Sequence, residues 1–191
     1  MGRLGTGTAA LVLAGAVLIG TAGAAGAATG QADRSAAAAA CATAWGSGVK
    51  SDADYVSEPL KNIRTGQHTC YDRMVFDITG ATGTAGFRVG YVDAFHQDGT
   101  GDLIPVSGGA ILQIFVNAPS YDPFTGAVVY PGVPGQTLPG VNINGYRTFK
   151  DTKYGASYEG RTQVGLGLRA KLPFRVLKSG DQVIVDVAHT W

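Results

Sequence analysis

The run Tyr71 to Thr79 alternates with a period of two. Met74, Phe76 and Ile78 point one way, and Arg73, Val75 and Asp77 point the other. Side chains that repeat every second residue share one face of a pleated strand, so this run predicts a half-buried strand with its apolar side toward a core. Phe87, Val89 and Tyr91 alternate with Arg88, Gly90 and Val92 in the same way, and the intervening Gly80–Thr84 is turn chemistry. The two runs read as an antiparallel hairpin with a loose loop.

The rest of the chain keeps this rhythm. Trp45 to Lys50 and Leu60 to Arg64 predict two earlier strands, with Pro59 opening the second and Arg64–His68 as a turn in which Gly66 takes a positive φ. Leu103 to Val106, Ala110 to Val116, Tyr146 to Phe149, Tyr158 to Leu168, Phe174 to Leu177 and Val183 to Ala188 predict the others, and Lys178–Asp181 turns between the last two. No segment carries a helical period with caps. About eight or nine short strands separated by turns indicate an all-β fold, an antiparallel β-sandwich. The segment Asn117–Gly145 breaks the pattern with five prolines and five glycines, within which Ala127–Tyr130 reads as an edge strand. A loop of that length inside a compact domain is often functional.

The first residues belong to a different class. Arg3 is followed by an apolar stretch to Ile19 and then by small residues at Ala22, Ala24, Ala25 and Ala27, which predicts a cleaved signal peptide over 1–27. The strongly apolar part is shorter than the roughly 20 residues a membrane span needs. Residues 28–40 are rich in alanine with no apolar face and read as a disordered spacer. The folded domain is expected over 41–191. This reading places the protein outside the cell or at the cell wall, not spanning the membrane after cleavage.

Removing Arg3 from fifteen Lys and Arg, against fourteen Asp and Glu, leaves the domain close to neutral. A neutral domain has no field to hold nucleic acid or an anionic membrane. Export permits a disulfide, and two cysteines, Cys41 and Cys70, allow one intramolecular pairing. Closing that loop stabilises the fold by about 3.5 kcal/mol in the chain-entropy model.

Catalytic constellations are absent from the sequence. There is no Gly-x-Ser-x-Gly elbow, and the three histidines, His68, His96 and His189, are not spaced to share a metal on one element. Neither a metal nor a cofactor is expected. Asp98–Asp102 has the oxygens of a short calcium loop but lacks the closing glutamate, so it reads as a hairpin turn. Polar candidates remain: Asp72, Arg73, Asp186 and His189, as a ligand site or a structural one. Arg73 and Asp186 each lie off an apolar face, so on neighbouring strands they would pair on the outer side. Tyr121, Phe124 and Tyr130 of the long loop are candidate aromatic contacts, either stacking on sugar faces or capping the sandwich.

Tyr71-Asp72-Arg73-Met74-Val75-Phe76-Asp77 resembles the YDRVVFEF motif of AMIN-like domain proteins of actinobacterial type. Asn62–His68 resembles the VRxGxH run that precedes it, and Val183–His189 resembles the VVVDVAH ending. The resemblance spans Trp45 to Trp191 and departs at Cys70, where many relatives carry glycine, which assigns the disulfide to a subgroup. It implies a secreted β-sandwich and a wall-binding role, because AMIN domains proper place amidases and secretins in the cell envelope through peptidoglycan. No catalytic residue carries over. The expectation is a non-catalytic cell-envelope module that binds peptidoglycan or another wall glycan. Two alternatives stand beside it: a glycan-acting hydrolase using acids such as Asp72 and Asp186, and a protein-binding module using the 117–145 loop.

Overall fold

The structure is a computed structural model that describes residues 41, 44–78 and 80–191. The expected signal peptide and the Ala-rich spacer lie outside the described residues. Nine strands run in chain order as β1 (Lys50–Asp52), β2 (Asn62–Gln67), β3 (Tyr71–Asp77), β4 (Phe87–Val92), β5 (Ala110–Val116), β6 (Phe149–Tyr158), β7 (Arg161–Leu168), β8 (Phe174–Ser179) and β9 (Gln182–Ala188). They form two antiparallel sheets, β1-β4-β5-β7-β6 and β2-β3-β9-β8, with no helix among the described residues.

The alternation read in the sequence decides what lies between the sheets. Met74, Phe76 and Ile78 meet Val183, Val185 and Val187 of β9, and all are fully buried. They share one hydrophobic cluster with Leu112, Ile114 and Val116 of β5 and Val164, Leu166 and Leu168 of β7. Each such side chain contributes about 1.5–3 kcal/mol by leaving water. The register pairs Met74 with Val185 and therefore Arg73 with Asp186, one step along and on the opposite face.

Several boundaries differ from expectation, each for a local reason. The first strand begins at Lys50 and not at Trp45, because Gly46 takes a positive φ of 66° and its carbonyl accepts from the Phe174 amide outside any ladder. β2 begins after Leu60 and runs on through Gly66, which sits in the ladder opposite Arg73 with no positive φ. The turn is displaced to His68–Tyr71, where the His68 amide donates to the Tyr71 carbonyl at 2.9 Å. Leu103–Val106 is not a strand but a single bridge from Leu103 to His96, and Ala127–Tyr130 yields one bridge, Val128 to Tyr121.

The largest departure is β6. The expected strand Tyr146–Phe149 ends where the strand begins, and β6 runs on for ten residues to Tyr158. Register shifts between Phe149 and Asp151 and between Tyr154 and Ala156 break the two-residue period, so the strand hides from a pattern search. The expected strand Tyr158–Leu168 is cut at Glu159-Gly160, both at positive φ (45° and 75°), the geometry of a two-residue hairpin turn.

The long loop is tied to the free edge of β6. Gly135 donates to the Tyr154 carbonyl and Tyr154 to the Gln136 carbonyl, each at 2.9 Å. Gly132 lies so close to the Tyr154 ring that a Cβ there would sit 2.2 Å from it. These contacts cover an edge that would otherwise be open to pairing.

Candidate functional site

The four polar candidates do not converge. They separate into two pairs on opposite faces of the four-stranded sheet. Asp72 shares the parity of Met74 and His189 that of Val187, so both point to the inner side. His189 Nε2 lies 3.0 Å from Asp72 Oδ1, and its Nδ1 lies 3.2 Å from the Thr69 carbonyl. Both ring nitrogens therefore face acceptor oxygens, one a carbonyl and the other a carboxylate. The other carboxylate oxygen accepts from the Thr148 amide at 2.6 Å and the Phe149 amide at 3.4 Å. Asp72 is fully buried and His189 nearly so. With both ring nitrogens facing protein acceptors, His189 presents no lone pair to a substrate and is not placed as a general base.

On the outer face, Arg73 grips Asp186 through Nε at 2.6 Å and Nη2 at 2.9 Å. Arg175 adds a third bond at 2.9 Å. Asp186 has no exposed area, while the two guanidiniums are partly open. The rings of Trp45 and Tyr71 roof the cluster, with Arg175 4.3 Å and 5.4 Å from their centroids. The bond to Asp186 holds the Arg73 guanidinium above its ordinary pKa. The expected pair is present, with Arg175 as an unforeseen third member. Two cations on one acid form a closed structural cluster.

Between the long loop, β6 and the turn before β5 lies an aromatic groove of about 450 Å³. Tyr121, Val128 and Tyr158 line it beside Gln97, Thr100 and Ser157. Tyr158 is 47% exposed and Val128 71%. Deeper in, the Ser120 and Tyr154 hydroxyls bond at 2.7 Å. Burial raises the phenols of both Tyr130 and Tyr154, most strongly Tyr130. Of the three aromatic candidates, Tyr121 lines the groove, Tyr130 lies at its base, buried and packed into the core, and Phe124 stands 90% exposed at a tip. That tip is an Asx turn. Asp122 accepts from the Phe124 and Thr125 amides at 2.8 and 2.9 Å, and these bonds hold its carboxyl below the ordinary range.

The remaining candidates are engaged elsewhere. Asp98 pairs with Arg161 at 2.9 Å, and His96 Nδ1 lies 3.0 Å from the Gly101 carbonyl within the same turn. Among the described residues no three His, Cys, Asp or Glu side chains gather to hold a metal. The Cys41–Cys70 disulfide is formed, with the two Cα atoms 5.0 Å apart. Sequence reasoning passed over Arg147, which lines a second cleft beside Asp72 and His189. It also missed that Asp72 belongs to the core side, although the parity shared with Met74 carried that signal.

The sequence model of the AMIN-like domain matches residues 58–189. No curated protein and no solved structure matches the chain.

Proposed function

We propose that this chain, which belongs to the AMIN-like domain family, is a secreted, non-catalytic module of the cell envelope that binds peptidoglycan or another wall glycan in its aromatic groove. The observation that carries this reading is the groove itself. The half-buried ring of Tyr121 and the exposed ring of Tyr158 stand beside the amide and hydroxyl groups of Gln97, Thr100 and Ser157. Flat apolar rings suit sugar faces, and the polar rim suits sugar hydroxyls. The near-neutral charge leaves the interaction to stacking and hydrogen bonds. The test is co-sedimentation of purified protein with peptidoglycan. Enrichment over a neutral control protein is expected, with a severalfold loss in the Tyr121→Ala/Tyr158→Ala double variant. Recovery no better than the control rejects the reading.

One observation favours a second reading, a protein-binding module. Phe124, Val128 and Val133 are 90%, 71% and 56% exposed on the same loop, and exposed apolar clusters of this kind mark interaction sites. Specific capture of a secreted protein that is lost in Phe124→Ala would select it. The hydrolase alternative loses its two named acids, since Asp72 and Asp186 are fully buried on opposite faces of one sheet and do not flank a common bond.

A further inference from the structure

Above Asp72 and His189 opens a second cleft, of about 430 Å³, walled by Gln67, His68, Thr69 and Arg147. It shares no lining residue with the aromatic groove. Its floor has no bonding capacity to spare. Asp72 spends its oxygens on His189 and on the Thr148 and Phe149 amides. The His189 amide donates to the Cys70 carbonyl at 2.9 Å, and its carbonyl accepts from the Arg169 guanidinium.

The rim is the reverse. Arg147 is exposed. Among the described residues its guanidinium has no ion-pair partner, and the Gln67 and Thr69 side chains have no hydrogen-bond partner. His68 stacks on Tyr71 at 4.4 Å through its ring face, which leaves its nitrogens open. The backbone that carries these free side chains is nevertheless fixed. One wall, Thr69-Cys70, is held by the disulfide and by two bonds to His189. The opposite wall is held by the Thr148 and Phe149 amides on Asp72, and by the Arg169 amide on the Thr148 carbonyl at 2.9 Å. The buried pair thus braces both sides of the cleft. A rigid wall with unspent donors lowers the ordering cost of binding.

The charge selects the ligand. Asp72 is fully buried and its oxygens are taken up by His189 and two backbone amides, so the charge that the cleft presents to a ligand is the Arg147 guanidinium. A planar guanidinium matches a carboxylate through two parallel bonds. We propose that this cleft binds a carboxylate group, from a peptide terminus or a small organic acid, through Arg147, with Gln67, His68 and Thr69 supplying further hydrogen bonds.

The test is a backbone-amide NMR titration of the full chain at constant ionic strength with N-acetylalanine, acetate and inorganic phosphate. Saturable shifts at His68, Thr69 and Arg147 are expected with the two carboxylates. Affinity should fall at least tenfold in Arg147→Gln and stay unchanged in Lys150→Gln, whose exposed lysine lies outside the cleft. Tighter binding of N-acetylalanine than acetate identifies a peptide terminus as the source, and equal binding identifies a simple acid. No saturable shift, undiminished binding in Arg147→Gln, or binding of phosphate without carboxylate overturns the proposal. Because the cleft and the groove share no residue, failure of the peptidoglycan experiment and failure of this one are separable.

Discussion

Asp72 and Asp186 lie on neighbouring strands, both fully buried, and the fold satisfies them in different ways. Asp186 faces outward and is met by the side chains of Arg73 and Arg175, its own partners in the register of β3 and β8. Those strands are already joined by their ladders, so the cluster reinforces a connection that the backbone makes. Asp72 faces inward at the end of the sheet. Its partners are backbone amides at Thr148 and Phe149 and a histidine at the far end of the chain. Through Thr148 and Phe149 it joins strands that no ladder connects, since these residues lead into β6 of the other sheet. A buried acid answered by side chains stabilises one face. A buried acid answered by distant backbone braces the molecule.

That contrast is broken most directly by Asp72→Ala. The substitution strands two amides and His189 without an acceptor and should cost about 4 kcal/mol, measured by urea denaturation. A loss below about 1 kcal/mol would mean that the brace carries no load. Cys41→Ser/Cys70→Ser should cost about 3.5 kcal/mol. It should also move the NMR signals of Thr69 and His189 more than the Arg73 side-chain resonance, because Cys70 lies beside the inner pair's wall whereas Arg73 is held by Asp186. Equal disturbance of both regions would erase the distinction.

Asp186→Asn leaves two guanidiniums facing one another, and should cost about 2–3 kcal/mol, at the low end for a buried pair because both arginines reach solvent. Adding Arg175→Gln to that variant should restore about 1 kcal/mol by removing the like-charge contact. Strict additivity of the two changes would dismiss the cluster as a unit.

The smallest effect belongs to the phenols. Burial raises Tyr91, Tyr130 and Tyr154 above the ordinary tyrosine value. The folded state therefore keeps protons that the unfolded chain releases from about pH 10 upward. Their contribution to stability is complete below that pH and is lost as pH rises through the raised values. Ultraviolet titration at alkaline pH should show three of the eight tyrosines ionising late, and all eight ionising together in the ordinary range would contradict the packing around them.

Much of this architecture is legible in local pattern. The parity of Tyr71–Thr79 and Val183–Ala188 separates core residues from Arg73 and Asp186 without any structure, and the described residues form nine strands where about eight or nine were expected. Misreadings fall where the period fails. Bulges in β6 disguise a ten-residue strand, and Gly66 sits in a ladder where turn chemistry was expected. Asp72 and His189 were seen as candidates, but their separation from Arg73 and Asp186 depended on reading parity through the strand end. Arg147 carries no local signal, since a lone arginine beside a strand is ordinary anywhere on a surface.

The sequence by itself determined which side of each regular strand meets the core, and it left Cys41 and Cys70 a single intramolecular pairing. Both follow from local or exclusive information: a two-residue period, and a count of two. The tertiary structure alone decided what each polar group meets. Strand order β1-β4-β5-β7-β6 brings the loop onto Tyr154 to make the groove, and it delivers the Thr148 amide to Asp72. Those partners lie 76 or more residues apart along the chain, a distance over which periodicity carries no information and only strand pairing and the packing of one sheet on the other select the neighbour.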